Sequence, residues 1–199
     1  MPILLRESYG IVISWIVISF CFSVSSLFYM PSLFPANFLV SALTAGIGFL
    51  LHELAHRTTA RRNGYYAYYQ LWSWGIILAI FISLISSGRV VFAALGAVYI
   101  TPIVISSQID QNLIRRAYGK ISLSGPFMNL LLALFFMCLI SLGGAIAEIS
   151  FIGLRINLWL AAFNLLPFPP LDGSKVYGWS KIIWAVFTIP TWLLIFMIL

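Results

Sequence analysis

Residues 37–64 read NFLVSALTAGIGFLLHELAHRTTARRNG. At about 1.5 Å of rise per residue this apolar run is long enough for a helix that crosses a hydrocarbon core of roughly 30 Å. Gly64 supplies a C-terminal stop, and Arg57, Arg61 and Arg62 fill the last turns, which by the positive-inside rule puts that end in the cytosol. The stretch reads as a membrane helix returning to the cytosol, and it sets the frame for the rest of the chain.

Upstream, Ile11 to Tyr29 forms a first run closed by Met30-Pro31, so the first helix runs outward. Downstream, Leu71 to Ser87 is a third run. Val90 to Ile105 follows, rich in Val, Ile and aromatic residues and interrupted by Gly96 and Pro102. It is either a short helix or a re-entrant or extended segment sheltered by protein, because unpaired backbone cannot face lipid. The connection with Asp110, Arg115, Arg116 and Lys120 is polar enough to be solvated on the cytosolic side. A helix from about Leu123 to Ala147, an external turn at Glu148 and Ser150, and a return from Phe151 to Phe168 into PFPPLDG come next. Ile182 to Leu199 is the last run; it has no polar tail, which leaves room for a longer natural chain.

Composition agrees. Of 199 residues 62% are hydrophobic and 8% charged, against about a quarter charged in soluble domains. Apolar runs recur along the chain, which excludes a lone signal peptide. The net charge of +6 is read as a topology signal and not as a nucleic-acid surface, because Arg6, Arg57, Arg61, Arg62, Arg115, Arg116, Lys120, Lys175 and Lys181 all fall on one side. Arg89 and Arg155 dissent. Cys21 and Cys138 lie inside apolar runs with no partner at metal-binding spacing, so they are read as packing residues. The expectation is an all-α polytopic membrane protein, a single domain over 1–199, with about six transmembrane helices and a re-entrant or extended membrane-embedded segment near 90–105 as the alternative to a helix.

His52-Glu53-Leu54-Ala55-His56 fits H-E-x-x-H, in which two histidines one turn apart bind one metal and the glutamate acts as base. These are the only two histidines in the chain. Ionisable residues at membrane depth are costly and read as functional by default; the competing view is a solvated helix end, which accounts for the position of the motif and not for its spacing. A catalytic metal needs a third protein ligand. Glu7, Asp110 and Glu148 fall in the N-terminal segment or in connections, whereas Asp172, in NLLPFPPLDG, ends a helix at the level of the histidines. Asp172 is the candidate, against the plain reading of an Asp-Gly turn after prolines. Asn129, in SGPFMN, and Asn164 either tie helices together by hydrogen bonds or orient an extended substrate and stabilise an oxyanion.

HELAH, then SGPFMN, then NLLPFPPLDG together resemble the site-2 protease family of intramembrane zinc proteases, in that family's order. The resemblance implies one Zn2+ per chain held by His52, His56 and Asp172, with Glu53 activating water. It implies a membrane-spanning protein or peptide as substrate, unwound into the site, and regulated release of membrane-tethered factors. Lipid is the surrounding partner, nucleic acid is not one, and nothing in the sequence specifies an oligomeric state. The chain lacks the PDZ insertion of some members and looks most similar to prokaryotic, archaeal-type ones, which places it in a cell membrane. The enzymatic alternative is another membrane H-E-x-x-H peptidase that trims lipidated proteins. From other classes come a membrane zinc transporter or metal-binding protein, and a structural membrane protein without metal.

Overall fold

A computed structural model describes residues 3–102 and 110–198. It begins with α1 (Ile3–Ser23) and the short α2 (Ser25–Tyr29). A 3-10 turn at Pro31–Leu33, α3 (Phe34–Ser41), a π turn (Ala42–Gly46) and α4 (Ile47–Arg62) follow. The last three run on as one helical rod through the stretch quoted above. The π turn loosens the i→i−4 ladder, and the indole of Trp15 on α1 donates to the carbonyl of Ala42 there at 2.9 Å. Gly46 has no Cβ because that indole fills the space.

The sheet is the main departure from expectation. β1 (Tyr65–Leu71) and β2 (Gly96–Pro102) pair antiparallel, with Tyr68 opposite Tyr99 and their rings stacked at 5.8 Å. Tyr-rich YYAYYQL suits a pleated, half-buried surface, yet it lies next to the arginine-rich helix end and was not anticipated. Between the strands lies α5 (Ser73–Ile85), where a full third run was expected. The segment near 90–105 is extended over Gly96–Pro102, and residues 103–105 lie outside the described residues.

α6 (Gln111–Ile140), α7 (Gly144–Asn164), α8 (Asp172–Trp179) and α9 (Lys181–Ile198) complete the chain. Asp110 caps α6, its carboxylate accepting the Asn112 N–H at 2.8 Å. The expected solvated connection with Arg115, Arg116 and Lys120 is therefore the first turns of a 30-residue helix. The expected external turn at Glu148 and Ser150 lies earlier, because Gly143 and Gly144 adopt left-handed backbone and reverse the chain there; Glu148 is inside α7 and Ser150 is buried. Among the described residues five helices are long and apolar enough to span a membrane, not about six: Glu7–Tyr29, Pro31–Arg62, Gln111–Ile140, Gly144–Asn164 and Lys181–Ile198. The chain is an all-α membrane protein carrying, among the described residues, one two-stranded sheet.

Its packing places the site. α6 lies against α7, where Gly153 admits the Phe136 ring, and against α4. Ile18, Phe49, Tyr69, Leu95 and Ile156 join α1, α4, the sheet and α7 in one buried cluster. Glu7 clasps the same corner: its carboxylate accepts the Tyr69 N–H at 3.2 Å and pairs with Arg57 at 3.3 Å. On α9, Ile182 and Met197 remain exposed, as lipid-facing residues do.

Candidate metal centre

His52 and His56 stand one turn apart on α4, both buried, with Nε2 atoms 2.9 Å apart. Asp172, the first residue of α8, brings Oδ2 to 2.9 Å from His56 Nε2 and 3.3 Å from His52 Nε2. Two close approaches seat α8. Gly119 of α6 leaves room for Trp179, and Gly173 backs onto the carbonyl of Leu165, where no Cβ fits. Gly173 thus serves close packing inside α8. Burial opposes an ionised Asp172, but the imidazoles of His56 and His52, with Lys175, outweigh it and hold the carboxyl well below the usual range. Lys175 Nζ lies 3.9 Å from the other carboxylate oxygen, Oδ1.

The far sides of the imidazoles decide their chemistry. His56 Nδ1 lies 2.7 Å from the Ile121 carbonyl, which can only accept, so Nδ1 carries a proton. His52 Nδ1 lies 2.6 Å from Asn129 Oδ1. The Asn129 amide is oriented by its own donors, Nδ2 giving to the Gly48 carbonyl at 3.2 Å and to Asn157 Oδ1 at 3.0 Å. Asn157 in turn donates to the Gly153 carbonyl at 2.9 Å. Backbone carbonyls therefore fix the direction of the whole chain, and His52 Nδ1 donates as well. Each neutral imidazole then presents a bare Nε2 lone pair, and a carboxylate oxygen is the third atom of the group. An added proton on one ring relieves only part of this convergence; a divalent cation relieves all of it.

Size agrees with that ion. Four-coordinate zinc with bonds of about 2.0–2.1 Å sets its ligands roughly 3.3 Å apart, close to the 2.9–3.3 Å separations here. Among the described residues these three form the one group of three or more metal-ligating side chains. Space is kept by Gly125, where a Cβ would lie 2.6 Å from His52 Nε2 and closer still to His56 Nε2. Gly48 serves the layer behind, since a Cβ there would strike Asn157 Oδ1.

Glu53 lines the same cavity, and its Oε2 is buried with no hydrogen-bond partner among the described residues. Asn164 lines the cavity too, one turn from Leu160, whose carbonyl takes its Nδ2 at 2.9 Å. Asn129 also lines the cavity and makes the inter-helix hydrogen bonds that were one of its two expected roles. Its Nδ2 donates to two protein acceptors and its oxygen faces His52, so it orients a candidate ligand. Sequence reading missed Asn157, Gly48 and Gly125 as parts of the site. The available signals were an asparagine two turns before Asn164 in an apolar helix and a Gly-Pro pair inside a long one. The cavity is also lined by Gly96, Val98 and Ile100 of β2.

A buried H-E-x-x-H helix joined by a remote carboxylate, in an all-α membrane protein, defines a metalloprotease type of site. The chain belongs to the family of zinc metalloproteases that includes the protein named "Putative zinc metalloprotease MJ0611" of Methanocaldococcus jannaschii, with which it is 37% identical over 93% of this chain and 90% of that one. "Putative zinc metalloprotease YwhC" of Bacillus subtilis is 29% identical over 75% of this chain and 71% of its own length. No family model and no solved structure matches the chain.

Proposed function

We propose that this metalloprotease is an intramembrane zinc endopeptidase of the site-2 protease type, cutting membrane-spanning segments of other proteins at a site formed by one domain spanning 1–199. The observation that carries the reading is the location of the donor group. His52, Glu53 and His56 lie within the Pro31–Arg62 helix, long and apolar enough to span a membrane, and the sheet edge lines the same cavity.

In this reading His52, His56 and Asp172 would hold one zinc, which would supply Lewis acidity and make water in the cavity more acidic. Glu53, through its unpartnered Oε2, would take a proton from the attacking water and deliver it to the leaving amine. Asn129, itself held by Asn157, keeps His52 in its binding tautomer and acts as a positioning residue. Asn164 is the remaining candidate for steadying substrate or oxyanion. Scissile carbonyls must be freed from helical hydrogen bonds, and the sheet offers a place to put them. β1 pairs along one edge of β2, and an unwound substrate strand would add along the other. The chain would be multi-pass in a prokaryotic cell membrane, with the metal end cytosolic as the arginines of α4 require, and with lipid and substrate as partners but no nucleic acid. The transporter alternative is less well supported, because a path would need donor groups at several depths and the described residues offer one group.

The test is purified protein in lipid vesicles with a single-span substrate, products mapped by mass spectrometry. Cleavage inside the span is expected, and Glu53→Gln is expected to lower it by about 10²–10⁴-fold with zinc retained. Cleavage confined to soluble peptides, or more than about a tenth of the rate in the variant, refutes the reading.

A further inference from the structure

The two arginines that break the charge asymmetry meet in one place. Arg89 and Arg155 both line a second, half-open cleft, together with Asn37, Ser41, Val40 and Trp159. Asn37 precedes His52 by 15 residues along the α3–α4 rod, about 22 Å at helical rise, so the cleft lies toward the opposite end of the molecule from the metal centre.

Neither arginine has a carboxylate in ion-pair reach among the described residues, and all five acids of the chain are described. Glu7 serves Arg57, Asp110 caps α6, Glu53 and Asp172 belong to the metal cavity, and Glu148 makes no ion pair with either. Arg155 sits near the middle of the 21-residue α7, where an unpaired charge is costly at membrane depth. Its guanidinium lies 5.7 Å over the ring of Phe151, one turn back toward the Gly144 end, and so reaches for the interface away from the metal. Arg89 is carried on a fixed turn: Ser87 and Gly88 have left-handed backbone, Arg89 N–H donates to the Ser86 carbonyl at 3.1 Å, and Gly88 abuts Ser25 too closely for a Cβ. Two positioned cations with polar neighbours and an apolar wall complement an amphiphile with an anionic head.

We propose that this cleft binds the phosphate headgroup of an anionic membrane lipid from the leaflet opposite the metal centre. The guanidiniums of Arg89 and Arg155 share the phosphate, Asn37 and Ser41 face its glycerol region, and the upper acyl chain lies along Val40 and Trp159. The site prefers a net-negative lipid to a zwitterionic one, because a choline ammonium would meet the second guanidinium. It stands apart from proteolysis and does not depend on it.

The probe is an equimolar mixture of phosphatidylglycerol and phosphatidylcholine added to the full chain in detergent, with retained lipid counted by native mass spectrometry. One phosphatidylglycerol is expected to be retained in preference to phosphatidylcholine. Replacing both residues, Arg89→Gln with Arg155→Gln, is expected to reduce that preference by about tenfold or more, the scale of losing a charge-assisted bond. Arg155→Lys and a control at Arg115→Gln should keep most of it, and unchanged helicity by circular dichroism certifies the fold of each. Equal retention of the two lipids by the unmodified chain overturns the proposal, as does an undiminished preference in the folded double variant. Displacement of the lipid by millimolar inorganic phosphate alone would assign the cleft to a free anion and also overturn it.

Discussion

Gly125→Ala adds one methyl group at the point where α6 passes the two candidate ligands. The new carbon would lie 2.6 Å from His52 Nε2 and nearer still to His56 Nε2, where ordinary contact begins at about 3.4 Å. The imidazoles or the helix must therefore shift by at least about 0.8 Å, whereas zinc–ligand distances hold within about 0.2 Å. Rotation of the rings is resisted because each Nδ1 is tied on its far side, to Ile121 and to Asn129. Zinc affinity should fall by more than the roughly 10–100-fold that loss of an outer hydrogen-bond partner costs. Alanine is favoured over glycine in an ordinary helix interior by about 0.8–1.0 kcal/mol, but directly before Pro126 its Cβ meets the proline ring, so that gain is offset in part. The assay is zinc per folded protein after dialysis against a graded chelator, with thermal unfolding of the metal-free protein alongside. A variant that keeps zinc at the original chelator midpoint would refute the inference that Gly125 keeps the metal's space. A variant that fails to fold without metal would show that the cost extends beyond the site.

Asp172→Ala should lower zinc occupancy as far as His56→Ala does; a full complement in the aspartate variant would remove Asp172 from the ligand set. Asn129→Ala should weaken zinc about 10–100-fold by releasing the His52 ring, and Asn157→Ala should produce a smaller loss of the same kind, because it acts through Asn129. Chelator titration orders the two, and a larger effect at Asn157 would contradict the direction of the hydrogen-bond chain.

The HELAH spacing was legible in sequence because helical periodicity alone puts its two histidines on one face. Asp172 was reached by elimination among five acids, and its carboxylate lies against both rings. Asn129 was noticed for its polarity, with helix tying and substrate contact left as alternatives, since nothing local says which way a buried amide faces. The sheet escaped notice because β1 and β2 are about 30 residues apart, and the aromatic run of β1 gains its meaning only from pairing with β2.

The sequence by itself determined the membrane character, the helix that carries the chemistry and the residue types able to hold a metal, because these depend on composition and on a period of 3.6 residues. Tertiary structure alone decided that Gly125 and Gly48 make room, that Asn157 holds Asn129, that β2 lines the cavity and that Arg89 and Arg155 share one cleft. Each of these depends on which atoms from distant segments occupy the same few ångströms, and that is set by helix packing and not by any local pattern.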